Sequence, residues 1–215
     1  MIISRGRSYV FVHIPKTGGT ALTIALEDRA KADDVLIGDT PKARRRKRRL
    51  EAMTPAGRLW KHSRLSDIDG VVSPDELDEM LVFTLVRNPW DRMVSYYHWL
   101  KAQTFRHPAV TLAKAHGFSG FLNHPHTQSS LSQDMAAAYV TDARGRLRCD
   151  HFVRIEQFAD DIAPVERHLG FALAPLARVN ESVRPEDYRS VYSEADAAKV
   201  GQIWSADVAR FGYSF

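Results

Sequence analysis

The chain alternates between short runs in which nearly every position is apolar and longer stretches in which apolar positions recur every three or four residues. The first short run, "SYVFVHI" at 8–14, is rich in β-branched and aromatic side chains and is stopped by Pro15. A strand covered on both faces has this composition. Residues 20–29 follow with Ala21, Leu22, Ile24, Ala25 and Leu26 at helical spacing and Thr20 in the place of a cap. The cycle then repeats. "SPDELDEM" offers Ser73 as a cap, Pro74 at the first helical position and Glu76 three residues after the cap, the signature of a capping box. "LVFTLVR" at 81–87 is a second buried strand, and Asn88 and Pro89 open a helix with Met93, Val94, Tyr97 and Leu100 on one buried face. A third strand is predicted over 150–158, a short helix over 160–169 ended by Gly170, and a last helix capped by Ser193. Between the first two cycles, residues 31–60 are interrupted by Pro41, Pro55 and Gly57 and read as an irregular excursion with one short helix.

Strands and helices in alternation predict an α/β fold of three layers, a central parallel sheet flanked by helices. At 215 residues the chain suits a single domain, 1–215. Ligands of such sheets sit beyond the carboxyl ends of the strands, which directs attention to the two sharp turns after residues 14 and 87.

Composition narrows the class without choosing a function. With 44% hydrophobic and 26% charged residues the chain is of the soluble globular kind, outside the disordered and collagen-like classes. No stretch approaches the roughly 20 apolar residues of a membrane span, and "MIISRGRSYVFVHIP" lacks the apolar core of a signal peptide, so the expectation is a cytoplasmic protein without a transmembrane segment. The lone Cys149 forms no internal disulfide and no cysteine zinc site. The net charge of +4 is uneven, because "KARRRKRR" at 42–49 holds seven of the 30 Lys and Arg residues. Three readings of that run stand together: a nucleic-acid tail, a surface for an anionic substrate, or a solvated loop.

The first turn, "PKTGGT", leaves a strand and enters a helix, where backbone N–H groups and the helix dipole favour an anion. Gly18 and Gly19 allow close approach or positive φ, Lys16 brings a full charge, and Thr17 and Thr20 bring hydroxyls. The plain alternative is a glycine turn with a solvent lysine. The order of residues departs from GxxxxGK[ST], the phosphate loop of common ATPases and GTPases, because the lysine precedes the glycines. In the second turn, Arg87 at a strand end can offer a planar fork to a phosphate. Ser95, two turns into the next helix, suits either the same phosphate or close helix packing.

"HIPKTGGT" resembles the 5′-phosphosulfate-binding loop of the sulfotransferases that use 3′-phosphoadenosine 5′-phosphosulfate (PAPS), and "LVRNPWDRMVSYY" resembles their 3′-phosphate segment. The two occur in family order, about 70 residues apart. The loop is most similar to that of the carbohydrate-type, heparan sulfate 2-O-like branch, and "VNESVRPEDYRSVYSEAD" and "FGYSF" resemble the ends of bacterial members. The resemblance implies a P-loop-like fold, PAPS as co-substrate without a metal, and transfer of the sulfuryl group to an acceptor hydroxyl of a carbohydrate or glycan-like molecule. Lys16, Thr17, Gly18, Gly19 and Thr20 would hold the 5′ end, Lys16 also serving catalysis, and Arg87, Ser95 and Arg184 the 3′-phosphate, with Asn180 and Ser182 in the segment that closes over it. His62, between the two motifs, occupies the interval of the family's catalytic histidine, though a Glu or Asp base would also suffice chemically.

Other residues are weaker candidates. His13 reads as structural, His98 as a reserve base, His124 and His126 as a polar loop, Arg92 as a brace for its helix, Lys61 as an aid to charge neutralisation, and Trp60 or Tyr188 as an adenine stacker. Two other functions compete. A P-loop nucleotide kinase would need the lysine after the glycines and a magnesium-binding Asp at a strand end. A nucleic-acid-binding protein would want aromatics among the basic residues, and none lies between Arg29 and Trp60, so such binding would be non-specific. The expected partners are therefore PAPS or its product PAP and a hydroxyl-bearing acceptor, an anionic saccharide among the options.

Overall fold

The structure, a computed structural model, describes residues 1–176 and 184–215. In chain order its elements are β1 (Ile2–Ser4), β2 (Tyr9–Val12), α1 (Gly19–Asp28), β3 (Val35–Leu36), α2 (Pro41–Arg45), α3 (Arg48–Glu51), α4 (Pro74–Asp78), β4 (Leu81–Val86), α5 (Pro89–Lys101), α6 (Pro108–Ala115), α7 (Phe118–Asn123), α8 (Pro125–Ser132), α9 (Ala136–Tyr139), β5 (His151–Arg154), α10 (Phe158–Asp161), α11 (Ala163–Leu169), α12 (Glu194–Ile203) and α13 (Ser205–Phe211). They fall into two compact units, residues 1–86 with 136–179 and residues 87–135 with 180–215.

The first unit is built on a sheet of order β3-β1-β2-β4-β5. β2, β4 and β5 run parallel, with Phe11 opposite Phe83 and Leu85 opposite Val153. The sheet is mixed, where the sequence pattern suggested a purely parallel one. β1 is only three residues long, too short to show a period, and it returns into β2 through the 3₁₀ turn Arg5–Arg7. So short a connection permits only antiparallel pairing, and β1 pairs antiparallel with both β2 and β3. All four residues of β2 are buried, as a strand covered on both faces requires. Leu22 and Leu26 of α1 and Val165 and Leu169 of α11 join Phe11, Phe83 and Leu85 in one apolar core.

Helix starts follow the local chemistry closely. The Ser73 hydroxyl accepts from the Glu76 N–H at 3.1 Å, but the Glu76 carboxylate goes to Arg5 at 2.6 Å, so half of the expected capping box forms. The third strand stops at Arg154, whose guanidinium grips Asp161 at 2.7 and 2.9 Å. The helix expected over 160–169 divides at Ile162, because Pro164 has no N–H to continue the ladder. Cys149 is half-buried, and its thiol points to the His151 oxygen at 3.4 Å.

The second unit is helical. Trp90, Met93, Val94, Tyr97 and Leu100 of α5 pack with Phe121, Leu131, Val200 and Trp204. The indole of Trp90 donates to Ala197 O at 2.8 Å and that of Trp204 to Leu131 O at 2.9 Å. Ser193 caps α12 as expected, but the helix breaks at Trp204 and resumes as α13. His107 and His124 each precede a proline and cap α6 and α8 through Nδ1. His124 is therefore a helix cap and not part of a loop. Among the described residues, no helix is long and apolar enough to cross a membrane.

Candidate active site

In the first unit, β2 runs through His13 and Ile14 into the turn 15–18 and then into α1. Lys16 adopts φ 65° and Gly18 φ 86°, two left-handed positions with one residue between them. For a lysine this conformation costs on the order of 1 kcal/mol, and such strain is characteristic of ligand clamps. The Thr17 hydroxyl donates to Ile14 O at 2.9 Å and closes the turn, so its proton is used inside the loop. α1 begins at Gly19 with Gly18 as its cap, two residues earlier than Thr20 in that place suggested, and among the described residues no side-chain cap is bonded to the N–H groups of its first turn. Those groups and the helix dipole are oriented as an anion site requires. Gly19 lies against His13: a Cβ there would stand 2.3 Å from its Cδ2.

His62 joins this group. Its Nδ1 is 2.8 Å from the His13 carbonyl oxygen. A carbonyl only accepts, so Nδ1 carries the hydrogen and the neutral ring keeps its lone pair on Nε2. The rings of His13 and Trp60 stand edge-on to it at 4.7 and 5.0 Å. Burial pulls its pKa down to about 4, against the opposing effect of the bond to His13. Burial and the neighbouring His62 also hold His13 well below the usual histidine range. Lys61 pairs with Asp39 at 2.8 Å, an acid with no signature in the sequence pattern. Trp60 is 44% exposed, with Arg58 over its ring at 5.8 Å.

The basic run divides into two sets. Lys42 donates to Glu27 O, Arg46 to Lys31 O at 2.8 Å and Arg49 to Ala32 O, so three of the cations satisfy carbonyls at and beyond the end of α1. Arg44, Arg45, Lys47 and Arg48 are exposed.

The second unit holds the other group. Arg87 follows the last residue of β4 in the chain and lays its Nε and Nη2 on Asp91 Oδ2 at 2.8 and 2.6 Å. Arg184 reaches Oδ1 of the same carboxylate. Asp91 was missed in the sequence, although the four-residue spacing from Arg87 is a signal for such a pair. Asn88 caps α5 by accepting from Trp90 N at 3.0 Å. Ser95 is buried, one turn along the helix from Asp91. Arg92 braces the unit: it is buried, donates to the Asp134 carboxylate at 2.7 Å and lies over Trp204 at 5.1 Å. His98 packs edge-on to Tyr97 at 5.3 Å, and Tyr188 lies under Arg189 at 4.7 Å. Asn180 and Ser182 lie outside the described residues. Lys16, Gly18, Gly19, Thr20 and His62 thus belong to one unit and Arg87, Ser95 and Arg184 to the other.

The profile of the sulfotransferase family matches residues 1–214. Among solved structures, mouse sulfotransferase SULT7A1 complexed with PAP aligns with a TM-score of 0.53 at 13% identity, covering 95% of this chain and 86% of that one. That likeness is one of fold, an α/β sheet flanked by helices of the P-loop-like kind. No curated protein sequence matches the chain.

Proposed function

The chain belongs to the sulfotransferase family, and from that premise we propose that residues 1–215 form one PAPS-dependent domain that sulfates a hydroxyl of a carbohydrate or glycan-like acceptor. The observation that carries the reading is the β2–turn–α1 unit, where Lys16 and Gly18 take positive φ directly before a helix whose first turn has no side-chain cap among the described residues. Lys16, Gly18, Gly19 and Thr20 hold the 5′-phosphosulfate, with Thr17 acting through its main chain because its hydroxyl is bonded to Ile14 O; Arg87, Ser95 and Arg184 hold the 3′-phosphate.

The reaction is an in-line displacement. The acceptor oxygen forms a bond to sulfur as the bond from sulfur to the 5′-phosphate oxygen breaks, and PAP departs. His62 Nε2 takes the acceptor's proton, and Lys16 stabilises the charge that collects on the leaving oxygen. PAP is a good leaving group, so the step needs no metal. The form of the loop and the place of His62 favour the heparan sulfate 2-O-like branch, and the C-terminal "VNESVRPEDYRSVYSEAD" and "FGYSF" favour a bacterial member. The exposed cations Arg44, Arg45, Lys47 and Arg48 suit an anionic saccharide.

Calorimetric titration with PAP and with ATP tests the assignment. PAP is expected to bind in preference to ATP, and Arg87→Ala to lose PAP; preference for ATP, or unchanged PAP binding in Arg87→Ala, overturns it.

A further inference from the structure

We propose that Asp91 is a positioning residue for the nucleotide's 3′-phosphate, its carboxylate drawing Arg87 and Arg184 to one spot before the ligand arrives. The inference rests on the proposed PAPS reading and goes beyond it, because a carboxylate is the last group expected beside a phosphate.

The geometry is specific. Oδ2 takes both Nε and Nη2 of Arg87, at 2.8 and 2.6 Å, and Oδ1 takes Nη1 of Arg184, a residue 93 positions away in the chain. The side chains are 16%, 16% and 19% exposed for Arg87, Asp91 and Arg184, so the ion pairs are only partly screened by water and salt. Asp91 stands at the third residue of α5, where the positive end of the helix favours its charge. Two cations brought this close repel each other; the shared carboxylate offsets that repulsion and leaves the trio with a net charge of +1. Ser95, one turn further along the same helix face, completes a set of donors around the phosphate.

Positioning and simple electrostatics predict opposite signs. If Asp91 acted only as a nearby negative charge, its neutralisation would tighten an anionic ligand. If it positions the arginines, neutralisation weakens the ligand that carries a 3′-phosphate and spares the one that lacks it. The test is calorimetric titration of wild type and Asp91→Asn with PAP and with AMP, which differ only in that phosphate. The expected result is a loss of about tenfold or more in PAP affinity, the size of a charged hydrogen-bond set, with AMP affinity held within about twofold. Unchanged or tighter PAP binding in Asp91→Asn overturns the proposal. Should that variant fail to fold, Asp91→Glu, with its carboxylate displaced by one methylene, is expected to show the same selective loss in smaller measure, and a wild-type PAP-to-AMP ratio there overturns it. A wild type that binds PAP and AMP alike would instead sink the PAPS reading itself, so the two failures are distinguishable.

Discussion

The Nδ1 of His62 is held 2.8 Å from the main-chain oxygen of His13, and that one bond decides which nitrogen of the His62 ring can take a proton. Because the acceptor is a carbonyl and not a carboxylate, it orients the ring without raising its basicity much, and burial keeps the pKa near 4.

A base must be deprotonated to act, so the acidic limb of kcat/KM is expected near pH 4, well below the ordinary histidine value of 6.5. His62→Ala should cut turnover by about a hundredfold or more while leaving PAP affinity intact. A pH–rate profile with its limb near 6.5, or substantial turnover in His62→Ala, would move the base elsewhere.

The same two rings make the fold sensitive to acid. Both His13 and His62 have folded pKa values below the unfolded one, so between about pH 6.5 and pH 4 the unfolded chain binds protons that the folded chain refuses. Stability therefore falls as pH drops through that window, by up to about 3 kcal/mol from His62 alone. Urea midpoints measured down this range should decline, and less steeply in His62→Gln; an equal decline in the variant would assign the effect to other groups.

Lys16 stands in a conformation that glycine adopts without penalty, with φ at 65°. Lys16→Gly relieves that backbone penalty of about 1 kcal/mol, removes the charged side chain, and should lose turnover. A fully active variant would contradict the role given to this lysine.

Gly18 and Gly19 should respond differently to alanine. At Gly18 the contact is the far end of the Ile155 side chain, which can move, so the cost is set by φ at 86° and is about 1 kcal/mol. At Gly19 the new methyl meets the buried His13 ring. Gly19→Ala is expected to shift His13, and with it the carbonyl that orients His62, lowering kcat more than PAP affinity. Equal kcat values in the two variants, measured at saturating PAPS, would count against this coupling.

Changing Arg44, Arg45, Lys47 and Arg48 together to serine removes exposed charge only. Melting temperature and PAP affinity should hold, while KM for an anionic acceptor rises several-fold and loses its salt dependence. By contrast, Arg46→Ala removes donors to Lys31 O and Asp34 O and should register in the melt. An unchanged KM in the fourfold variant would mean the acceptor does not use this surface.

The parts legible in the sequence are those encoded within a few residues. β2, the "PKTGGT" turn and α1 are written as an apolar run, a proline, two glycines and a helical spacing. Asn88 and Pro89 announce α5 in the same way, and Arg87 stands out at the end of its strand. Tertiary closure decided the rest. β1 carries too few residues for a period, and only the tight Arg5–Arg7 turn makes it antiparallel. The basic run looked uniform until contacts at and beyond the end of α1 set the anchoring Lys42, Arg46 and Arg49 apart from Arg44, Arg45, Lys47 and Arg48. The tautomer of His62 depends on a carbonyl 49 positions away, and the partner of Arg184 lies 93 positions away. Local spacing fixes the dihedral angles and the faces of elements. Which main-chain oxygen or carboxylate meets a given side chain is settled only when distant segments share one packed core, and no local pattern records it.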